Sequence, residues 1–314
     1  MNLPALSDIK AAYDRIRPYI HKTPVMTSQQ LNKIFGCELF FKCENFQKVG
    51  AFKFRGATNA VLSLSEDGKK RGVVTHSSGN HAAALSLAAS MNGIKPYIVM
   101  PETAPAVKKN AVAGYGAQIT FCKPTLQSRE ETTQQIMEKT GATLIHPYDN
   151  FNVICGQGTA VLELLDEKRD LEIIVAPIGG GGLMSGTSTY VKSINDKIKV
   201  IGAEPLNAND AWKSFTTGKL TLSVNPSTVA DGLLTSLSEM TFSIIRKNVD
   251  LILTAREESI IECMLLVWER MKIIIEPSSA TVLAIIKENT DFFRSKKTGL
   301  IISGGNVDFR KLPF

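Results

Sequence analysis

The chain reads as an α/β protein in which parallel sheets are covered by helices. Two observations predict this. Short apolar runs alternate with longer stretches of helical period along most of the chain, the pattern of strand–helix–strand units. Glycine-rich turns directly follow several of these runs, at the carboxyl ends of the expected strands, where such folds bind ligands. Strands are expected at 38–42, 72–75, 97–100, 118–121, 172–176, 200–203, 251–253 and 299–302. Each is a compact apolar run, such as Leu39-Phe40-Phe41, Ile173-Ile174-Val175 or Leu300-Ile301-Ile302. Helices are expected near 55–64, 80–92, 105–115, 128–140, 157–169, 183–195, 257–271 and 278–289. The tract from Gly72 to Thr143 forms its own strand–helix series, and a second series resumes at Leu171. A small domain, 72–146, is therefore expected within a large one made of 1–71 and 147–314.

Composition narrows the function. The chain has 314 residues, 44% of them hydrophobic and 21% charged, ample for a sizeable core. Its net charge of +6 would suit an anionic ligand, but the basic residues are scattered and carry no nucleic-acid signature. No apolar run approaches the ~20 residues of a membrane span. Five cysteines (Cys37, Cys43, Cys122, Cys155, Cys263) form no Cys-x-x-Cys pair, which argues against a zinc ribbon or a disulfide framework. Reduced thiols and an N-terminus without a signal pattern give a cytoplasmic expectation.

Four constellations carry chemistry. Lys53 lies between Phe52 and Phe54, with Gly50 and Gly56 nearby. An apolar setting lowers a lysine pKa, and a neutral amine can form a Schiff base with a carbonyl. Ile178-Gly179-Gly180-Gly181-Gly182-Leu183 follows a strand and opens a helix. Its exposed N–H groups and the helix dipole would form a phosphate cradle, or else simply a flexible turn. A dinucleotide fold competes, with Glu204 as the ribose acid, but no Gly-x-Gly-x-x-Gly placement fits because Met184 or Ser185 takes the third glycine position. Thr75-His76-Ser77-Ser78-Gly79-Asn80-His81 places more polar groups at a helix N-terminus than a cap requires, and could receive a carboxylate. Ser303-Gly304-Gly305-Asn306 follows the last strand.

Taken in this order, the motifs resemble those of the fold-type II pyridoxal-phosphate enzymes, most closely the serine racemase and serine/threonine dehydratase group. The resemblance runs from His21-Lys22-Thr23-Pro24-Val25 to Ser303-Gly304-Gly305-Asn306-Val307-Asp308. It implies the tryptophan synthase beta-like fold, with two open, mostly parallel, twisted sheets and helices on both faces. It implies that Lys53 holds pyridoxal 5'-phosphate covalently, that Phe52 packs beside the ring and that Asn80 bonds the ring hydroxyl. Gly179, Gly180, Gly181 and Gly182, with Leu183, would bind the phosphate, and Ser303 would face the pyridine nitrogen. Ser77, Ser78, His81, Arg129 and Thr235 line up with the substrate pocket, with Ser78 as a second base opposite Lys53. Glu204, Ala208 and Asp210 resemble the group's divalent-cation loop for Mg2+ (or Ca2+ or Mn2+). Without the resemblance, Asp210 reads as a helix cap and Glu204 as exposed.

Two positions depart from the group. Ala51 stands where a serine often occurs. Val49 stands where animal members have a hydroxyl residue near a nucleotide site, which weakens carry-over of an ATP effector. The chain ends soon after the last motif, so no C-terminal regulatory domain is expected. The implied activity is serine racemisation with serine dehydration to pyruvate and ammonia. Alternatives are a threo-3-hydroxyaspartate or catabolic threonine dehydratase and, more distantly, a non-catalytic amino-acid sensor. The partner is then a small hydroxyamino acid, with neither nucleic acid nor membrane, and relatives suggest a homodimer.

Overall fold

All eight expected strands and all eight expected helices form in the computed structural model, which describes residues 2–77 and 79–314. Among the described residues the strands are β1 (Val25–Met26), β2 (Glu38–Cys43), β3 (Val73–His76), β4 (Pro96–Pro101), β5 (Gln118–Cys122), β6 (Thr143–Leu144), β7 (Ile173–Pro177), β8 (Lys199–Pro205), β9 (Leu251–Ala255) and β10 (Lys297–Ile302). One sheet has the order β1-β2-β10-β7-β8-β9, the other β5-β4-β3-β6. Every pairing is parallel except β1 with β2. The strands absent from the sequence expectation, β1 and β6, have two residues each, too few to show a period.

Side-chain alternation explains the layering. On the larger sheet Leu39, Phe41, Ile173, Val175, Leu300 and Ile302 pack into one core with the helices Glu257–Met271 and Pro277–Glu288. The intervening Phe40, Ile174 and Ile301 pack on the other face against Phe151–Glu167 and Gly182–Ile194. Both faces are buried, as a parallel sheet requires. The smaller sheet shares a third core with helix Lys53–Leu62 through Val73, Ile98, Phe54 and Val61.

Helix boundaries differ where capping decides them. Phe151–Glu167 starts six residues before the expected 157, because the Asn150 side chain accepts the Val153 N–H. Helix Leu6–Ile16 was not expected, although Ile9, Ala12 and Ile16 are its buried stripe at helical spacing.

Under the larger sheet lies a quartet of buried charges. Arg55 donates to Glu44 (2.7 and 2.9 Å) and to Glu163 (3.0 and 2.7 Å), while Lys42 donates to Glu163 at 2.6 Å and to the Thr23 carbonyl at 2.6 Å. The four side chains are at most 1% exposed. Burial works against the Arg55 charge, yet Glu44 raises its pKa. Burial likewise pushes Glu44 up, yet Arg55 holds it below the usual carboxylate range. Two positive and two negative groups leave no net charge, so the quartet persists as a unit. Arg55→Ala would leave the buried Glu44 without its ion pair and Glu163 with Lys42 alone. It should destabilise the protein by about 3–5 kcal/mol in urea unfolding. Lys296→Ala, which breaks the exposed 2.8 Å pair with Glu172, should cost about 1 kcal/mol or less.

Candidate active site

The register of the larger sheet brings two distant segments together. Ile302 pairs with Cys43, so β10 and β2 end side by side at the carboxyl edge. Beyond it the two chains are stitched again: Ala51 bridges Gly304, Phe52 N–H donates to the Ser303 carbonyl at 2.9 Å, and Gly305 N–H donates to the Gly50 carbonyl at 2.9 Å. The stitch needs left-handed backbone at Gly50 (φ 69°) and Val49 (φ 58°). A Cβ on Gly50 would also lie 2.8 Å from Asn306 Oδ1. Lys53 and Ser303, 250 residues apart in sequence, are thereby fixed to one backbone frame.

Lys53 is the first residue of its helix. Its amine donates to the Pro147 carbonyl at 2.9 Å and stands 5.1 Å from the Phe52 ring. Phe54 faces away into the third core, so only one of the two phenylalanines meets the amine. Burial brings the Lys53 pKa down to about 8, with Glu276 pulling the other way. Near pH 7 the amine is then still mostly protonated, with a neutral fraction of about a tenth against well under a thousandth for an ordinary lysine.

The tetraglycine turn leads into helix Gly182–Ile194. Among the described residues, no backbone N–H from Gly179 to Met184 has an acceptor. Packing explains why glycine is required here: a Cβ on Gly180 would lie 2.2 Å from the Tyr148 ring, and one on Gly179 3.0 Å from the Gly232 carbonyl. The turn is thus held between Tyr148 and the 232–237 loop with unpaired donors at a helix N-terminus, an arrangement that can accept an anion.

Ser303 is buried, its hydroxyl 3.0 Å from that of Ser279, which also donates to the Gly304 carbonyl at 2.7 Å. Asn80 starts helix Asn80–Ser90, whose N-cap is Gly79 without a side-chain cap bond, so the described polar groups of the 75–81 turn are not spent on capping. Ser77 Oγ accepts from Gly79 N–H at 3.4 Å. Ser78 lies outside the described residues.

His81 is buried and donates from Nε2 to the Ile145 carbonyl at 3.0 Å, and burial brings its pKa down to about 3. It supports the segment that carries Pro147. His146 Nδ1 accepts from Asp149 N–H at 2.9 Å, and burial lowers this residue to about 4. Arg129, on helix Leu126–Thr140, has a buried Nε without a partner among the described residues. Thr235 is exposed on the loop that follows Asp231–Leu233.

Glu204 is 1% exposed and accepts from Ala211 N–H (2.9 Å) and Trp212 N–H (2.8 Å) at the start of helix Asp210–Thr217. The residue-only expectation of an exposed Glu204 and a capping Asp210 is therefore reversed: Glu204 is the cap. Burial pushes Glu204 up to about 8 and Asp210 to about 6, and Asp210 Oδ2 is buried without a partner. No group of three or more His, Cys, Asp or Glu side chains that could hold a metal occurs among the described residues.

Sequence reasoning missed Pro147, Tyr148, Ser279 and Glu276, which belong to no motif because each acts through tertiary contact, and it gave Asn306, inside the Ser303–Asn306 motif, no role. The assembled groups meet the demands of pyridoxal phosphate: unpaired N–H donors for the phosphate, an amine of lowered basicity for the aldehyde, and a neutral buried hydroxyl.

Residues 16–304 match the family model described as pyridoxal-phosphate dependent enzyme. The chain is 53% identical to a serine racemase of Dictyostelium discoideum, over 98% of this chain and 96% of that protein. It is 48% identical to a beta-hydroxyaspartate dehydratase of Paracoccus denitrificans over the full length of both. The structure of maize serine racemase superposes with a TM-score of 0.96 at 42% identity, covering 98% of this chain and 95% of that one. With its lysine, its unpaired glycine cradle and its two mostly parallel sheets, the chain belongs to the pyridoxal-phosphate dependent enzymes of fold-type II, in the group of serine racemases and serine/threonine dehydratases.

Proposed function

We propose that the protein is a serine racemase that also dehydrates serine to pyruvate and ammonia. The observation that carries this reading is its 53% identity, over nearly the whole of both chains, to a serine racemase. The Paracoccus dehydratase, at 48%, supports 3-hydroxyaspartate as the second reading.

In this proposal Gly179–Gly182 and Leu183 hold the phosphate, Phe52 and Asn80 flank the ring, and Ser303 faces the pyridine nitrogen. The cofactor, when bound, supplies an electron sink for the charge left at the substrate α-carbon. Lys53, as a neutral amine, takes the α-proton on its own face. Ser78, assigned from its motif alone, returns a proton on the opposite face to give the enantiomer. If the β-hydroxyl leaves with a proton as water before reprotonation, hydrolysis of the remaining fragment consumes one water and gives pyruvate and ammonia. Ser77, His81, Arg129 and Thr235 would line the substrate pocket. His81, neutral and held by Ile145, would do so as a shaped wall rather than a charge. The small domain 72–146, inserted between 1–71 and 147–314, would carry the Ser77–His81 turn. All four strands of the second sheet fall within it.

Chiral analysis of products from L-serine should show D-serine together with pyruvate. Lys53→Ala should lose both products and the visible cofactor band. Ser78→Ala should lose racemisation while retaining L-serine elimination. Rapid consumption of 3-hydroxyaspartate without any D-serine would instead favour the dehydratase reading.

Glu204, Asp210 and the Ala208 carbonyl are proposed as ligands of Mg2+, Ca2+ or Mn2+. The support is a pair of buried carboxylates, one oxygen of which has no partner, and an all-oxygen donor set. Both carboxyls bind protons more tightly folded than unfolded, over the span from 3.8 and 4.5 up to about 6 and about 8. Stability without divalent cation should therefore fall as pH rises through that window. Asp210→Asn should flatten the slope of the thermal midpoint against pH. Mg2+ at a hundred times its dissociation constant should stabilise the wild type by about 2.7 kcal/mol, and Asp210→Asn far less.

A further inference from the structure

Seven Asp, Glu, Lys or Arg side chains are buried among the described residues: Lys42, Glu44, Arg55, Glu163, Glu204, Asp210 and Glu276. Four of them neutralise one another in the quartet, and two form the proposed cation site. Glu276 belongs to neither set. It is 4% exposed and makes no ion pair among the described residues.

Its position is set by backbone. Glu276 is the N-cap of helix Pro277–Glu288, and its N–H donates to the Gly304 carbonyl at 3.0 Å. The carboxylate occupies space left by an absent Cβ: one on Gly304 would lie 2.9 Å from Oε1. It accepts from Asn80 Nδ2 on both oxygens, at 3.0 and 3.1 Å, and from Asn306 N–H at 3.2 Å.

The rest of the chain of bonds has one direction only. The Val49 carbonyl can only accept, so it fixes the amide nitrogen of Asn306, at 2.7 Å. That nitrogen also donates to Asn80 Oδ1 at 2.9 Å, which turns Asn80 Nδ2 toward Glu276. An ionised carboxylate completes the sequence as a pure acceptor. A protonated one places a hydrogen on one oxygen, opposite a donor, and one of the two contacts to Asn80 is lost.

Three charged groups face Glu276. They are Lys53 from the start of helix Lys53–Leu62, Asp231 from the Asp231–Leu233 turn, and Lys108 of helix Ala106–Gly114, which pairs with Asp231 at 2.6 Å. Burial, with Asp231, pushes the Glu276 carboxyl up to about 7, against Asn80, the Asn306 N–H and Lys108.

We propose that Glu276 is the positioning residue of Asn80: ionised, it fixes the Asn80 amide and binds the start of helix Asn80–Ser90 to the Gly304–Asn306 segment, and its protonation loosens that seam. The cofactor-facing consequence rests on the reading of Asn80 as the partner of the ring hydroxyl. The site is then sensitive to pH through a residue that touches neither the reacting carbon nor the phosphate.

The test uses the protein with and without cofactor, in the absence of substrate, from about pH 5.5 to about pH 9. In the cofactor-free protein the Asn80 side-chain amide resonance, identified by its loss in Asn80→Ala, should titrate with a midpoint near 7 in the wild type. In Glu276→Gln it should not titrate. In the holoenzyme the visible band should move with the same midpoint and become pH-independent in Glu276→Gln. An amide that is static in the wild type, or that titrates equally in the variant, overturns the proposal. A visible band that ignores pH in the wild type overturns its cofactor-facing part. If Glu276→Gln does not fold, Glu276→Asp takes its place: the midpoint must move by about half a unit or more, and an unchanged one overturns the proposal. No substrate enters these measurements, so a failure here leaves the serine assignment standing, and a failure of that assignment leaves this proposal standing.

Discussion

A guanidinium shut off from water, that of Arg55, fixes much of this structure. It sits two residues beyond Lys53 on the same helix and bonds to Glu44, just after β2, and to Glu163, on helix Phe151–Glu167. Its planar fork makes four bonds to two carboxylates, more than a lysine's three donors could supply. Lys42, inside β2, supplies the second positive charge. The larger sheet, the lysine helix and the helix covering one face of that sheet therefore share one electrostatic joint. Such a joint is weak evidence of stability when compared with an apolar core of the same volume. Its effect is to set position: Lys53 cannot tilt without moving buried charges.

The joint acts from beneath, and the backbone stitch acts from above. The pairs Ala51–Gly304 and Phe52–Ser303 fix the segment that enters the lysine helix to the segment after β10 that carries the buried serine. The tetraglycine turn is held by a third device, the Tyr148 ring pressed against Gly180. Tyr148 follows Pro147, the acceptor of the Lys53 amine. One short segment, 145–148, thus contacts the lysine, the glycine turn and His81. Three elements distant in sequence converge because 145–148 lies between them.

The fold was legible because apolar runs and glycine turns are local signals. Ile173-Ile174-Val175 followed by the glycines fixed a strand, its end and the next helix from sequence alone. Lys53 and the glycines were legible for the same reason. Glu276 was not: as a lone acid before Pro277 it reads as an ordinary helix start, and its meaning comes from Gly304, Asn80 and Asn306, which only the fold assembles. The Glu204 cap was misread because spacing cannot tell which of two acids turns inward. Helix Leu6–Ile16 carried a legible stripe, Ile9, Ala12 and Ile16, but not the contiguous apolar run that marks the other elements.

The two buried polar systems of the molecule follow opposite electrostatic designs. Around Arg55, charges are retained by pairing each with its opposite. Around Lys53, charge is removed: burial lowers His81, His146 and Lys53, raises Glu276, and leaves the serine pair Ser279–Ser303 neutral. An anionic ligand entering such a region meets few compensating cations. What would receive it, in the proposed reading, is the row of unpaired N–H groups at the head of helix Gly182–Ile194, partial charges that need no counter-ion. A fixed dipole also adds no titrating charge beside the lysine, whereas a cation in its place would further depress the lysine pKa and a carboxylate would raise it. In the proposed reading the glycine turn would therefore serve Lys53 as well as the phosphate: it would bind the anion without adding a titrating group to the site whose basicity matters.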